Sequence, residues 1–175
     1  MNRFKKLNIK GNLEKNALGE RVLIEYLFLD NKTCERCIGT DDVLRDVIGI
    51  LSPALRLAGY RIEHREIEMS TEAIAEEYRF LSSPTIRVNG RDVCLSVKEN
   101  ACGCCSDISG TDVDCRVFEY QGMDYEVPPK SMLAKAIFEA IFSKNEDCGC
   151  ACEDYKMPDN LKSFFEGKDR NTANG

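Results

Sequence analysis

Two cysteines separated by two residues, in the segment Cys34-Glu35-Arg36-Cys37, have the type and spacing that thiol chemistry requires. One thiolate can attack a disulfide while the other resolves the mixed disulfide, which predicts Cys34 as the nucleophile and Cys37 as the resolving thiol. Arg36 adds positive charge that favours the thiolate, and we expect it to contact the substrate. The same spacing is also typical of one half of a structural zinc site, so the redox and metal interpretations both stay open here.

Seven more cysteines lie in two clusters with short spacings. Such spacings are typical of sites in which thiolates select zinc, another thiophilic metal or a metalloid. Two alternatives are that one cluster passes electrons to or from the first pair, or that the clusters pair as passive structure. The remaining Cys94 is predicted to be a small buried hydrophobe in a strand, and His64 a solvated residue rather than a ligand. The seven predicted metal ligands are Cys102, Cys104, Cys105, Cys115, Cys148, Cys150 and Cys152.

Hydrophobic periodicity and local breakers predict the elements that position these cysteines. The apolar run at 22–29 predicts a buried central strand directly before the first pair. A helix is predicted after the pair, with Thr40 as its N-cap and a kink or break at Pro53. The other predicted elements are a half-exposed strand at 60–68, a helix at 71–80, a hairpin of strands at 85–88 and 92–97, and a helix at 130–142.

We expect one core domain with two appendages. Before the last helix an insertion at 100–127 begins with a Cys/Gly-rich half, predicted to be flexible, and ends in a hairpin around Gln121-Gly122. Near the C-terminus, residues 157–165 are predicted to dock one apolar turn on the body. The predicted division is a polar N-terminal arm at 1–20, the domain at 21–143 and a Cys-rich, partly disordered tail at 144–175.

Charge and composition exclude several classes of function. The net charge is −6 with both signs interspersed, which leaves no basic patch for nucleic acid. The N-terminus resembles neither a signal peptide nor a membrane span, so we expect a cytoplasmic protein, in which ten cysteines act as thiols, metal ligands or transient disulfides. No Gly-rich nucleotide fingerprint is present, so no organic cofactor is expected. The predicted partners are a protein or low-molecular-weight thiol or disulfide and an external reductant.

The predicted order β-α-β-α-β-β-α resembles the minimal thioredoxin fold, an α/β fold, here with the Cys-rich insertion, hairpin and tail added. Thioredoxin-like folds place a cis proline opposite the cysteine pair. The resemblance therefore implies that Ser83 and Pro84 line the substrate site. The chain departs from a general thioredoxin in having no Gly-Pro between Cys34 and Cys37 and no tryptophan.

Six short motifs along the chain indicate one family. They are Thr33-Cys34-Glu35-Arg36-Cys37, Ser83-Pro84-Thr85-Ile86-Arg87-Val88-Asn89-Gly90, Cys102-Gly103-Cys104-Cys105, Asp114-Cys115-Arg116, Pro128-Pro129-Lys130 and Pro158-Asp159-Asn160-Leu161. Together they resemble the family catalogued as domain of unknown function 2703, which consists of small thioredoxin-like prokaryotic proteins. The resemblance spans about residues 21–143 and supports the fold and the site position more than a reaction. We therefore predict thiol–disulfide exchange by Cys34 and Cys37, with the other clusters binding a soft metal or relaying electrons. The alternative is a non-enzymatic protein in which all cysteine clusters are ligands.

Overall fold

The computed structural model describes residues 19–94, 96–142 and 154–173, which form a mixed α/β architecture of two sheets and five helices. The strands are β1 Glu20–Phe28, β2 Tyr60–Glu68, β3 Thr85–Val88, β4 Arg91–Asp92, β5 Lys98–Ala101, β6 Asp114–Tyr120 and β7 Met123–Tyr125. The helices are α1 Glu35–Leu57, α2 Glu72–Glu77, α3 Gly103–Ser109, α4 Lys130–Phe142 and α5 Asp159–Ala173. Residues 1–18 of the predicted arm at 1–20, and the predicted ligands Cys148, Cys150 and Cys152, lie outside the described residues.

Strand β1 is central, as its apolar sequence predicts. It lies between β2 and β3 in a sheet of order β2-β1-β3-β4, parallel to β2 and antiparallel to β3. Ile24, Tyr26 and Leu27 are fully buried in the main core. The chain leaves this strand at Phe28 and reaches the first cysteine pair six residues later, so the pair follows the end of the central strand.

Helix α1 begins earlier than the sequence predicts. Its N-cap is Cys34, and Thr40 is a buried residue within the helix. The Asp30 carboxylate decides this start, because it accepts the backbone N–H groups of Thr33 at 2.6 Å and Cys34 at 2.9 Å. Pro53 does not end the helix, which continues to Leu57.

The strand predicted at 92–97 ends at Asp92. The carboxylate of Asp92 accepts the N–H of Cys94 at 2.9 Å, which turns the chain instead of extending the ladder. The same carboxylate accepts a hydrogen bond of 2.7 Å from the buried guanidinium of Arg116. Cys94 is buried as predicted, but it lies after the strand.

The insertion is folded throughout, in contrast to the flexible first half that its composition predicts. That half forms β5 and α3, because its thiols and Val113 are apolar enough to join the main core. The second half forms the expected hairpin, with Phe118 opposite Tyr125 across Gln121-Gly122. Together β5, β6 and β7 make an antiparallel second sheet.

The C-terminal segment forms a 15-residue helix, α5, where the sequence predicts one docked turn followed by disorder. Leu161, Phe164 and Phe165 bury its apolar face in the core, and the helix contacts α3. The approach is close at Gly167, where an added Cβ would overlap the Ser109 carbonyl oxygen. Among the described helices, none combines the length and the apolar character that crossing a membrane requires.

Candidate thiolate site

Cysteines from the first pair and from the insertion meet in one buried group. Cys34 caps α1, Cys102 caps α3, Cys105 lies in α3, and Cys115 lies on β6. The sulfurs of Cys34 and Cys102 are 3.8 Å apart, and those of Cys105 and Cys115 are 3.4 Å apart. The sulfurs of Cys34, Cys102 and Cys105 all lie within 4.8 Å of one another. We call these four residues the four-thiol cluster.

The spacing of the Cys34, Cys102 and Cys105 sulfurs is suited to a metal ion, and Cys115 adds a fourth sulfur beside that of Cys105. A tetrahedral zinc–sulfur distance of about 2.3 Å places the ligand sulfurs about 3.8 Å apart. A disulfide requires about 2.05 Å, and every cysteine in the described residues is a free thiol. Burial of all four, none more than 4% exposed, keeps water from competing for an ion. The cluster could therefore hold a metal, whose identity the spacing does not specify.

Hydrogen bonds between the thiols shift the pKa values within the four-thiol cluster in opposite directions. Hydrogen bonds from Cys105, Cys115 and Cys34 lower the pKa of Cys102. The hydrogen bond to Cys102 is the main cause that raises the pKa values of Cys34, Cys105 and Cys115. Without a metal these shifts favour the first negative charge on Cys102, at the N-terminus of α3, while the Cys115 thiol donates to the Cys105 sulfur.

A fifth thiol, Cys37, borders the cluster through Cys34. Its pKa is lowered, chiefly by a hydrogen bond from Cys34. Its sulfur also lies 3.5 Å from the Ser83 hydroxyl oxygen, and its carbonyl accepts the Tyr26 hydroxyl at 2.6 Å. Burial raises the pKa of Tyr26, so its hydroxyl remains a donor that holds the first turn of α1 on the sheet.

Arg36 joins the two halves of the site. Its guanidinium donates to the Cys115 carbonyl and to the Glu126 carboxylate, both at 2.8 Å. The residue is only 7% exposed. The sequence predicts a substrate contact for Arg36, but the structure directs the guanidinium to the second sheet, where it fixes β6 against the start of α1.

Ser83 and Pro84 are buried behind the second sheet. Their peptide bond is cis, as the thioredoxin resemblance implies. The Ser83 carbonyl accepts the N–H of Arg116 at 2.7 Å, and its hydroxyl accepts the N–H of Leu29 at 3.1 Å. The backbone that the resemblance assigns to a substrate strand is therefore paired with β6 of the same chain.

Sequence reasoning did not identify Asn160 as a support of the site. The Asn160 side chain accepts the N–H of Asp114 at 3.0 Å and donates to the carbonyl of the same residue at 2.7 Å. This pairing fixes the backbone directly before Cys115. The only signal in the sequence is that Asn160 belongs to the Pro158-Asp159-Asn160-Leu161 motif.

Two other described thiols, those of Cys104 and Cys94, lie apart from the four-thiol cluster. Cys104, a predicted ligand, is partly exposed, and among the described residues no hydrogen bond joins its sulfur to another thiol. Cys94 belongs to a small separate apolar cluster with Phe118 and Met132. Burial is the main cause that raises the pKa of Cys94 to about 11.

His64 is more enclosed than the sequence predicts. Burial lowers its pKa, and it lies with Asp41 and Glu66 in a second group whose ligand atoms are all within 4.8 Å. Arg45 donates to Asp41 at 3.0 Å and also forms an ion pair with Glu66. The Arg45 guanidinium pairs with both carboxylates, so the group has less need of a cation than the four-thiol cluster.

Fold and site together define a mixed α/β domain built around a buried cluster of free thiols. Residues 22–137 match a family model described as "Domain of unknown function (DUF2703)". The match includes the four-thiol cluster and Cys37. Because the match covers more than half of the chain, the protein belongs to this family. No curated protein and no solved structure matched the chain.

Proposed function

We propose that this protein binds one soft metal ion through the thiolates of Cys34, Cys102, Cys105 and Cys115, within a thioredoxin-like fold. The observation that carries the proposal is that buried sulfurs from distant parts of the sequence meet. Those of Cys34, Cys102 and Cys105 lie at the spacing of metal ligands, and that of Cys115 lies 3.4 Å from Cys105. The order β1-α1-β2-α2-β3-β4, followed by α4, supports the thioredoxin-like assignment.

The chemistry of the donors favours a thiophilic ion. All four ligands are sulfur, which selects zinc, copper(I) or a metalloid over magnesium or calcium. Four thiolates and a divalent cation leave two net negative charges, and such charge needs compensation when it is buried. The N-terminus of the 23-residue helix α1 and the buried guanidinium of Arg36 supply positive charge beside the cluster.

Thiol–disulfide exchange by Cys34 and Cys37 is the second candidate function. It is favoured by the position of Cys34 at a helix N-terminus and by the lowered pKa of Cys37. Against it, both sulfurs are fully buried, and the Ser83 carbonyl already pairs with Arg116. A protein disulfide would have to displace β6 to reach the pair, so exchange ranks below metal binding.

The test is metal stoichiometry and spectroscopy on protein purified without oxygen. Co²⁺ is titrated into wild type, Cys34→Ser and Cys94→Ser, because tetrahedral cobalt–thiolate sites have intense visible and near-ultraviolet absorption. We expect one ion with a tetrathiolate spectrum in wild type and in Cys94→Ser, the control with a cysteine outside the cluster. Cys34→Ser should lose that spectrum while circular dichroism reports a folded chain.

Two results would contradict the proposal. One is a wild-type protein that binds no Co²⁺ or Zn²⁺, and the other is a Cys34→Ser variant that keeps the tetrathiolate spectrum. If Cys34→Ser does not fold, Cys102→Ser tests the same ligand set from α3. An insulin reduction assay on the same proteins tests the second candidate, which requires activity in wild type that Cys34→Ser lacks.

A further inference from the structure

Cys34 faces two different sets of sulfurs. On one side it lies 3.8 Å from Cys102, and on the other its neighbour along α1 is Cys37, which contributes to the raised pKa of Cys34. Cys37 contacts Ser83 and Cys34, and no hydrogen bond joins its sulfur to Cys102 or Cys105 within the described residues. Cys34 is therefore the one sulfur shared by the four-thiol cluster and the Cys34/Cys37 pair.

We propose that oxidation of Cys34 and Cys37 to a disulfide releases the metal, so that the fifth thiol makes the site responsive to small oxidants. This inference rests on the proposed metal binding and goes beyond it. A sulfur in a disulfide has lost the negative charge that metal ligation requires. The cluster would fall from four thiolates to three, and we expect the affinity for Zn²⁺ to drop roughly 100-fold.

The geometry allows this disulfide. Cys34 caps α1, and Cys37 lies in its first turn. Residues three apart in a helix have Cα atoms about 5 Å apart, which falls in the range that disulfides adopt. To bond with Cys37, the Cys34 sulfur would move away from Cys102, which breaks up the arrangement of ligands.

A hydroperoxide is the oxidant that the burial favours. Cys34 and Cys37 are both fully buried, so a molecule such as hydrogen peroxide can reach them more readily than a protein disulfide can. The Cys37 thiolate attacks one peroxide oxygen, the O–O bond breaks, and a sulfenic acid forms on Cys37 as hydroxide leaves. The Cys34 thiolate then leaves the ion and attacks the sulfenic sulfur, the S–O bond breaks, and a second hydroxide leaves. In total two thiols and one hydrogen peroxide give one disulfide and two waters.

Cys37 is better suited to attack the peroxide than the four thiols of the cluster. In the loaded protein Cys34, Cys102, Cys105 and Cys115 share their electron pairs with the ion, which lowers their nucleophilicity. Cys37 keeps its electron pair free and is held beside Cys34, with the Ser83 hydroxyl 3.5 Å from its sulfur. A dithiol reductant would reverse the reaction and restore the fourth ligand.

The experiment uses Zn²⁺-loaded wild type, Cys37→Ser and Cys94→Ser. Hydrogen peroxide is added with a chromogenic chelator, and Zn²⁺ release and disulfide position are followed by absorbance and peptide mapping. Wild type and the Cys94→Ser control should release their Zn²⁺ with a Cys34–Cys37 disulfide, and dithiothreitol should restore binding. Cys37→Ser should bind Zn²⁺ before oxidation and release it at least about 10-fold more slowly.

The outcomes separate this inference from the metal-binding proposal. Release from Cys37→Ser at the wild-type rate would overturn the inference and leave metal binding intact. A disulfide between Cys105 and Cys115 in oxidised wild type would do the same, and this measurement needs no variant. If wild type binds no Zn²⁺ before oxidation, the metal-binding proposal fails, and the release mechanism fails with it.

Discussion

Replacing Cys105 by serine should abolish tight zinc binding, whereas the same change at the adjacent Cys104 should leave the affinity within about threefold. The two residues are neighbours in α3, and the substitutions are chemically identical. They differ in position: the Cys105 sulfur is 3.4 Å from that of Cys115 and within 4.8 Å of those of Cys34 and Cys102. The pair of variants therefore separates ligation from a general effect on the helix.

The size of the loss follows from the number of ligands. Structural zinc sites bind with about 10–16 kcal/mol, so one ligand in four corresponds to about 2.5–4 kcal/mol. At 1.4 kcal/mol for each factor of ten, that is roughly a 100- to 1,000-fold weaker dissociation constant. A serine hydroxyl at position 105 is too hard a donor to replace the thiolate.

The assay is competition between the reduced protein and a chelating dye of known zinc affinity at neutral pH. Circular dichroism of each metal-free variant checks that α3 still forms. Equal losses in Cys104→Ser and Cys105→Ser, or a larger loss at Cys104, would refute the assignment of ligands and require α3 to present its other cysteine to the cluster.

Three further predictions concern residues outside the four-thiol cluster. In urea titrations Gly167→Ala should lower the free energy of unfolding by about 1–3 kcal/mol, because overlap with the Ser109 carbonyl outweighs the gain in helix propensity. At Gly49 an added Cβ would meet open space, so Gly49→Ala should raise the free energy of unfolding by about 0.5–1 kcal/mol. Equal effects of the two substitutions would show that α5 is not packed closely at Gly167. Because burial lowers the pKa of His64, the unfolded chain binds the proton more readily, and stability should decrease as pH falls below about 6.5. His64→Gln should lose less stability than wild type between about pH 7.5 and about pH 5.5, and parallel losses would contradict this. Because the pKa of Cys94 is about 11, iodoacetamide should alkylate it roughly 100-fold more slowly than a free thiol at about pH 8. Mass spectrometry measures this rate, and a rate near that of the free thiol would refute the prediction.

The sequence pattern predicted a helix or turn correctly where the residues that determine it are neighbours along the chain. Helix α4 has the predicted bounds, because an apolar stripe and the Pro128-Pro129 entry are both local. The hairpin around Gln121-Gly122 formed as predicted because the turn residues adopt positive φ. The start of α1 was predicted wrongly, because Thr40 is a good N-cap by type, while the carboxylate that actually organises the start belongs to Asp30 in the preceding loop.

The first half of the insertion and residues 159–173 were predicted wrongly for a different reason. Short Cys- and Gly-rich or polar segments resemble flexible loops when they are considered alone, since they have too little apolar surface for a core of their own. Here α3 and α5 bury that surface against each other and against the main sheet. Asn160 adds a pairing with the backbone of Asp114, a residue 46 positions away. Such long-range contacts leave no periodic signal in the sequence.

The sequence by itself determined the chemical character of this protein: a cysteine pair after a buried strand, further thiols in short spacings, and an α/β fold of the family that the motifs indicate. Only the tertiary structure decided which thiols act together. It joins Cys34 to Cys102 across 68 residues, leaves Cys104 at the side, and encloses Cys37 behind β6. The physical reason is that metal ligation and thiol exchange depend on sulfur positions within a few ångströms. Those positions are set by how α1, α3 and β6 pack, and the spacing of cysteines along the chain does not specify that packing.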